Sequence, residues 1–296
     1  ASGYIGSQTC KFLNESGHVL VGIDRNMIKH QYCRETYIGD YNDRIMDIML
    51  QNVDCVVHIG ATSLVGPSIL DPSKYYNNNV VGTLKLLDDC NKHEIKRFVF
   101  ASSAAVHGPR SLHPEGLVSP DALYCPPNLY GFWKLAGEGM AQAFHMETEI
   151  PTVCLRLATT YGPGRDRGLT SAPTTAMKAC VLGIDYEIPY RGREHYHFVE
   201  DVGAGFAESA ISPFEGYAAF HLTGQTLEIT DFCKIIKNIA LQIGIETPGN
   251  PEVKTDALLM PFTCDLDHRP TLQSFPGMTL TPIKKGVQKS IKFFLA

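Results

Sequence analysis

The chain has 296 residues, of which 44% are hydrophobic, and 31 acidic against 26 basic residues give it a net charge of -5. This composition predicts an ordinary soluble globular protein of one large or two interlocked domains, and it argues against nucleic acid as a partner, which would require a basic excess. No apolar run is long enough to span a bilayer, so no membrane partner is expected. The nine scattered cysteines lack a CxxC pair and predict free thiols in a reducing cytoplasm.

Short apolar runs alternate with helix-periodic segments along the first half of the chain. The apolar runs predict buried strands over 18–24, 54–60, 97–103 and 152–162. The segments beside them predict helices over 6–17, 44–52, 77–93 and 130–146. This βαβ alternation is typical of α/β proteins with a doubly wound parallel sheet, which bind their ligands at the carboxyl ends of the strands.

The alternation loosens after residue 162. Helices are predicted over 170–183 and 230–244, and short strands over 187–192 and 196–202. These elements predict a smaller C-terminal lobe.

Two glycines open the chain in the segment "ASGYIG". Gly3 and Gly6 precede a predicted helix, as in a loop that lays its backbone against a phosphate at a helix N-terminus. Asp24 ends the next predicted strand 18 residues after Gly6 (24 − 6), near the spacing of a carboxylate that binds the adenosine ribose. Such a carboxylate repels a 2′-phosphate and favours NAD over NADP. The alternative is a simple turn followed by an acidic strand end.

Tyr130 and Lys134 lie four residues apart in "YGFWK" and share one face of a predicted helix. A nearby cation favours the phenolate and lowers the pKa of a tyrosine, which then exchanges a proton with a substrate hydroxyl. The alternative is a surface pair without function. Upstream, the predicted strand ending in "FASS" supplies the hydroxyls of Ser102 and Ser103 at its carboxyl end.

The order of these motifs resembles that of the extended short-chain dehydrogenase/reductases, in the NAD-dependent epimerase/dehydratase branch that contains UDP-glucose 4-epimerase. The resemblance covers nearly the whole chain. It is carried by "ASGYIG", "GDYND", "HIGA", "NNNVVGTLKLL", "SSAAVHG", "YGFWK", "LRLATTYGPG" and "HFVEDV".

The resemblance implies a Rossmann-type fold and a role for individual residues. By position, the catalytic residues would be Ser103, which holds the substrate, Tyr130, the acid/base, and Lys134, which lowers the tyrosine pKa. The residues that bind NAD would be Gly3, Tyr4, Ile5, Gly6, Asp24, Asp40, Tyr41, Ala61, Asn79, Ser102, Tyr130 and Lys134.

Three positions depart from the family pattern. His107 stands where the family has a tyrosine beside the site, and Thr159 stands where an Asn is common. Glu194 falls near the position where many family members carry an Arg that binds the nucleotide diphosphate. Four arginines are candidates to replace that Arg, or are solvated loop charges: Arg165, Arg167, Arg191 and Arg193. The substrate-binding set is therefore predicted as Ser103, His107, Thr159, Arg165, Arg167 and Arg193.

The resemblance also implies an organisation and an activity. Residues 1–162 would form the NAD-binding Rossmann domain, completed by a strand before Ala1, and residues 163–296 mainly a substrate-binding lobe interleaved with it. The expected activity is epimerisation or dehydration of a nucleotide sugar through transient hydride transfer to NAD. Two alternatives remain: an NAD-dependent dehydrogenase of a free sugar or sugar acid, and a non-catalytic NAD-binding regulator.

Two further expectations concern subunits and metals. The family often forms homodimers through helices that correspond here to 73–93 and 130–148. His195 and His197 share one face of a predicted strand, but without an evident third ligand no metal site is predicted.

Overall fold

The computed structural model describes residues 1–26, 30–43, 45–62 and 70–296. In chain order its first half contains α1 (Tyr4–Glu15), β1 (Val21–Asp24), β2 (Glu35–Ile38), α2 (Met46–Met49), β3 (Cys55–His58), α3 (Pro72–Tyr76), a π-helical turn (Asn77–Val81), α4 (Gly82–Lys92), β4 (Arg97–Ser103), α5 (Leu129–Thr148), β5 (Thr152–Leu157) and β6 (Thr159–Tyr161). The second half contains α6 (Ala172–Val181), β7 (Tyr186–Arg191), β8 (Arg193–Phe198), α7 (Val199–Ile211), β9 (Tyr217–His221), β10 (Gln225–Glu228), α8 (Ile229–Ile243), β11 (Pro251–Leu259), α9 (Arg269–Ser274) and α10 (Ile283–Leu295).

A four-stranded parallel sheet in the order β3-β4-β5-β9 forms the centre of the first lobe. Its middle strands β4 and β5 are buried along almost their whole length, as expected of strands covered by helices on both faces. β1 and β2 form a second parallel pair, and within the described ranges no ladder joins this pair to the larger sheet. The predicted strand before Ala1 lies outside this sequence and stays a prediction.

The second lobe is built on two small sheets, β10-β8-β6 and β11-β7. Helices α6, α8 and α10 cover them around a continuous apolar core that includes Tyr161, Phe198 and Phe232. The two small sheets and the three helices therefore share one packed core.

The observed α/β architecture confirms the predicted fold class. The predicted strand over 97–103 coincides with β4. The predicted helix over 44–52 begins at Arg44, which lies outside the described residues. No helix in the described part of the chain is long and apolar enough to cross a membrane.

Two predicted strands differ from the structure. The run 152–162 is two strands, because the chain leaves the central sheet at Ala158, whose N–H donates to His197 Nε2 at 2.9 Å, and continues as β6 in another sheet. The strand predicted over 196–202 ends at Phe198. Glu200 and Asp201 follow in the first turn of α7, where acidic side chains favour a helix N-terminus.

The boundary predicted at residue 162 stays a prediction. β9 returns to pair with β5 of the central sheet, and α7 packs closely on α1. At their contact a Cβ on Gly203 would lie 2.3 Å from Gln8 Cβ, so glycine permits the approach.

Candidate active site

A cleft opens at the carboxyl ends of β4 and β5 and extends toward the second lobe. The glycine loop, the end of β4, one face of α5 and the loops after β5 and β11 supply its walls. Its polar lining residues are Ser102, Ser103, Tyr130, Lys134, Thr159, Thr160, Arg165, Thr170, Glu194, His195 and Thr263, and its loop and apolar residues include Gly3, Tyr4, Ile5, Gly6, Ala61, Leu169, Met260 and Phe262.

The glycine loop forms one end of the cleft. Gly3 immediately precedes α1 with extended backbone, and a Cβ there would meet no atom within 4 Å, which leaves room for a ligand against the loop. A Cβ on Gly6 would lie 2.6 Å from the carbonyl oxygen of Ala1, so only glycine fits between loop and helix. The N-terminus of α1 thus lies open to the cleft, as suits a phosphate.

Asp24 lies at the end of β1, outside the lining of the cleft. Its carboxylate accepts hydrogen bonds from the backbone N–H groups of Ser2 at 2.8 Å and Asn26 at 3.0 Å. Burial raises the pKa of Asp24, but the hydrogen bonds from the backbone N–H groups of Asn26 and Ser2 lower it, and the pKa lies below its usual value. The carboxylate is therefore ionised at neutral pH and is tied to the glycine loop.

Asn79 positions Ala61 by holding the neighbouring backbone. Its amide accepts from Thr62 N–H at 2.8 Å and donates to Thr62 C=O at 2.9 Å. Asp40 and Tyr41 lie outside the cleft lining: the Asp40 carboxylate accepts from its neighbour Asn42, and the Tyr41 hydroxyl donates to a backbone carbonyl at 2.6 Å.

Ser103, Tyr130 and Lys134 meet in the cleft. Ser103 ends β4, and α5 begins at Leu129 behind Asn128, whose side chain caps the helix by accepting from Gly131 N–H at 3.1 Å. This cap sets the start of α5 so that the four-residue spacing directs Tyr130 and Lys134 to the end of β4.

The pKa of Tyr130 differs from the expected one. Burial raises it to about 12, although a hydrogen bond with Ser103 and the charge of Arg165 lower it. The expected lowering by Lys134 is not seen, because the Lys134 ammonium lies 5.9 Å from the centre of the phenol ring and donates to Ala101 C=O at 2.6 Å.

Lys134 is itself perturbed. It is 6% exposed, and burial lowers its pKa to about 8, although the nearby Glu138 opposes this shift. Its ammonium also lies 4.9 Å from the centre of the Phe100 ring. Since Ala101 takes one of three N–H donors, the others remain for a ligand.

The predicted ligand contacts of Ser102 and His107 stay predictions, and the structure shows how each side chain is held. The Ser102 hydroxyl points away from that of Ser103 and donates to the Glu138 carboxylate, because successive side chains of a strand face opposite sides. His107 is fully buried beneath the cleft, where it contacts His221 at 2.9 Å and Arg156 at 3.2 Å. The 3-10 turn Ala104–His107 directs its ring inward.

Only one of the predicted arginines lines the cleft. Arg165 donates to Thr170 at 2.7 Å and lies 5.4 Å from the ring centre of Tyr4. Arg193 instead forms a bidentate pair with Asp265 at 2.8 and 2.7 Å. Arg191 donates to a backbone carbonyl, and Arg167 is exposed outside the lining.

Thr159 and Glu194, two of the departures from the family pattern, are hydrogen-bonded to each other at 3.2 Å inside the cleft. Glu194 is 2% exposed, and burial raises its pKa to about 7, although hydrogen bonds from Thr159 and Tyr190 lower it. The cleft therefore contains a carboxyl group that titrates near neutral pH.

Several lining residues were not predicted. They are Thr160, Leu169, Thr170, His195, Met260, Phe262 and Thr263. The segment after β11 carries no motif that would have indicated its return to the cleft. His197 cannot join His195 in a metal site, because one ring nitrogen contacts Thr223 C=O and the other accepts from Ala158 N–H.

The model of the NAD dependent epimerase/dehydratase family matches residues 1–207. The chain belongs to this family. A UDP-glucose 4-epimerase of Halalkalibacterium halodurans is 36% identical over 191 residues, which are 62% of this chain and 56% of that relative. The match thus spans little more than half of that relative's length.

Solved structures of family members share the fold over almost the whole chain. MoeE5 in complex with UDP-glucuronic acid and NAD is 26% identical, with a TM-score of 0.82 and coverage of 99% of this chain and 96% of that one. UDP-glucose 4-epimerase of Thermotoga maritima gives the same TM-score and coverage at 21% identity, which supports the fold alone. The predicted family, its Rossmann-type fold and its NAD dependence are confirmed.

Proposed function

We propose that this protein is an NAD-dependent epimerase of a nucleotide sugar. The convergence of Ser103, Tyr130 and Lys134 in one cleft with the open N-terminus of α1 is the observation that supports it most directly. The names of two relatives point to the same chemistry, since one is a UDP-glucose 4-epimerase and another was solved with UDP-glucuronic acid and NAD.

The described residues fit NAD. The glycine loop and the N-terminus of α1 would hold its pyrophosphate, Asp24 its adenosine ribose and the free N–H donors of Lys134 its second ribose. When bound, NAD accepts a hydride from a sugar carbon and returns it.

Tyr130 and Ser103 would handle the accompanying proton. The Ser103 hydroxyl, which lines the cleft with Tyr130, would orient the reacting sugar oxygen. Tyr130 takes the proton of that hydroxyl as the carbon is oxidised and gives it back as the carbon is reduced. A pKa of about 12 keeps the phenol protonated at neutral pH, so Tyr130 must first lose this proton to solvent before it can take up the proton of the sugar hydroxyl. Because the Lys134 ammonium lies 5.9 Å from the centre of the phenol ring, its proposed role is to bind the ribose of NAD.

Replacement of Tyr130 tests this assignment. Tyr130→Phe keeps the ring but removes the proton-transfer group, so turnover should fall by about 10²-fold or more with little change in NAD affinity. Tyr37→Phe, which removes a hydroxyl that donates to Glu35 outside the cleft lining, should leave turnover unchanged. Near-normal turnover of Tyr130→Phe would place the acid/base elsewhere.

A second candidate function rests on the Thr159–Glu194 pair. An ionised Glu194 disfavours an anionic diphosphate, and Arg165 is the one predicted arginine in the described lining that offsets it. This favours a dehydrogenase of a neutral free sugar. With substrate and NAD, a dehydrogenase accumulates NADH in step with product, whereas an epimerase forms product without net NADH.

Homodimerisation through α4 and α5 is also proposed. Leu84 on α4 and Phe132 on α5 are 56% and 55% exposed, which is unusual for side chains of their size. Leu84→Glu should shift the mass measured by light scattering from dimer to monomer, and Leu182→Glu, at a 71% exposed position on another face, should not. A monomeric wild-type protein would contradict this proposal.

A reducing cytoplasm is proposed as the compartment. All nine cysteines of the sequence are free in the structure, which supports it.

A further inference from the structure

Two cysteines and one histidine from separate parts of the sequence meet beside β1. Cys10 lies on α1, whereas His30 and Cys33 lie between β1 and β2. Both sulfur atoms and one ring nitrogen of His30 lie within 4.8 Å of one another. The cleft residues described above do not include any of the three.

The local backbone places the cluster. Cys33 N–H donates to His30 C=O at 3.1 Å, which closes a tight turn that brings His30 and Cys33 to the same side. Cys33 packs on β1, where a Cβ on Gly22 would lie 3.1 Å from Cys33 Sγ. The glycine leaves this space open to the thiol.

The sulfur separation suits a metal ion. The Sγ atoms of Cys10 and Cys33 are 3.8 Å apart, whereas a disulfide requires about 2.0 Å. Two thiolates on a tetrahedral zinc ion, with Zn–S bonds of about 2.3 Å, also lie about 3.8 Å apart. The observed separation therefore suits two ligands around one ion, and in the structure the Cys33 thiol donates a hydrogen bond to Cys10 Sγ at this distance.

His30 has a nitrogen available for such an ion. The side chain is 6% exposed, and its Nδ1 is buried without a hydrogen-bond partner among the described residues. Nε2 lies 3.2 Å from Ser7 Oγ. With its proton on Nε2, the ring donates to Ser7 and keeps a lone pair on Nδ1, as metal-binding histidines do when an outer group fixes the tautomer.

We propose that Cys10, His30 and Cys33 bind a divalent ion of the zinc class through two thiolates and one imidazole, with water as the fourth ligand. Binding forms two metal–sulfur bonds and one metal–nitrogen bond and releases the two thiol protons to solvent. The ion ties α1, which carries the glycine loop, to the segment between β1 and β2. This site does not depend on the proposed epimerase activity.

Cobalt titration of the reduced, chelator-stripped protein tests the proposal, since Co²⁺ reports thiolate ligation through a charge-transfer absorption. One Co²⁺ per chain should bind with this absorption, and Zn²⁺ should abolish it by displacement. Zn²⁺ should also raise the melting temperature. Binding without the charge-transfer absorption would overturn the proposal.

Variants assign the ligands. Cys10→Ser and Cys33→Ser each leave one thiolate, so each should lower the charge-transfer absorption or weaken binding by more than the roughly 10–100-fold typical of outer-shell changes. Ser7→Ala should keep the full absorption and weaken binding within that range. Cys125→Ser, at an exposed cysteine, should bind as the wild type does. Melting curves without metal show whether each variant is folded, and Ser7→Ala keeps all three ligands.

Unchanged cobalt binding by folded Cys10→Ser or Cys33→Ser would overturn the site. So would a reduced protein that binds no cobalt but forms a Cys10–Cys33 disulfide on mild oxidation, since the pair would then be a redox pair.

Discussion

Glu194 gives the cleft a charge that changes near neutral pH. Its carboxyl is held by Thr159 at 3.2 Å and Tyr190 at 3.3 Å, so the side chain cannot turn away to solvent without losing both bonds. Because burial raises its pKa to about 7, the group is largely neutral at lower pH and negative above it. We therefore expect binding of anionic ligands to depend on pH.

The first prediction is that free UDP protects the NAD-bound protein from thermal unfolding only weakly at about pH 8 and more strongly at about pH 6, where Glu194 is protonated. Glu194→Gln, which keeps an acceptor and cannot ionise, should restore protection at the higher pH. Glu187→Gln, at an exposed position, is the control. Strong protection of the wild type at both pH values would show that Arg165 compensates for Glu194.

The second prediction concerns stability. Glu194 titrates near 4.5 when unfolded and near 7 when folded, so between these values the folded state holds more protons. Its contribution to the free energy of unfolding is fully present below 4.5 and falls as the pH rises toward 7. Denaturant unfolding should show wild type losing stability relative to Glu194→Gln between about pH 5 and about pH 8. A constant difference would argue against the raised pKa.

The third prediction concerns cofactor choice. The Asp24 carboxylate, fixed by Ser2 and Asn26, should favour NAD and repel the 2′-phosphate of NADP. Calorimetry should give tighter binding of NAD than of NADP, and Asp24→Asn should narrow the difference. The control Asp88→Asn, on the exposed face of α4, should leave the difference in affinity between NAD and NADP unchanged. Equal affinities of the wild type for both cofactors would remove this role of Asp24.

At the scale of elements, α5 positions the site because it packs directly on β4. A Cβ on Gly137 of α5 would lie 2.5 Å from Cζ of Phe100, a buried ring on β4. On the same helix, Gly139 is exposed, and a Cβ there would meet no atom within 4 Å.

The fourth prediction uses this pair of glycines. Gly137→Ala should destabilise the protein by about 1–3 kcal/mol and lower turnover, because α5 must move away from β4 with Tyr130 and Lys134. Gly139→Ala should instead be neutral or stabilise by up to about 1 kcal/mol, since alanine is the better helix former. Melting curves and turnover measured for both variants test this difference. Equal effects of the two substitutions on stability and turnover would mean that α5 does not position the site.

Sequence periodicity predicted long elements better than short ones. The strand β4 and the helices α5 and α8 were predicted from the spacing of their apolar residues, and the side chains buried in the structure follow the same spacing. The break at Ala158 was not predicted, because an apolar run does not show where a chain passes from one sheet to another. β9, a run of five residues, gave no distinct signal although it completes the central sheet.

The candidate site was predicted only in part for a similar reason. Spacing along one helix predicted the approach of Tyr130 and Lys134, and the family resemblance implied that Ser103 joins them. Contacts that depend on loop paths were not predictable: Arg193 turns to Asp265, and the segment Met260–Thr263 returns to the cleft.

At the scale of the molecule, the two lobes form the cleft together. The first supplies Ser103, Tyr130 and Lys134, and the second supplies Glu194 and His195 from β8. The contact of α7 with α1 links β8 to the helix that carries the glycine loop. The proposed function therefore assigns proton transfer to residues of the first lobe and part of the substrate choice to residues of the second.

The measurement that tests the proposed epimerase most directly uses UDP-glucose deuterated at C4. Transient oxidation by bound NAD would move the deuteride from the sugar and return it to the same carbon. After the two epimers are separated by chromatography, mass spectrometry should find the C4 epimer with its deuterium retained, and no net NADH should form. Tyr130→Phe should form this product about 10²-fold more slowly or worse. An epimer that has lost its deuterium to solvent, or NADH that accumulates with an oxidised sugar, would contradict the account.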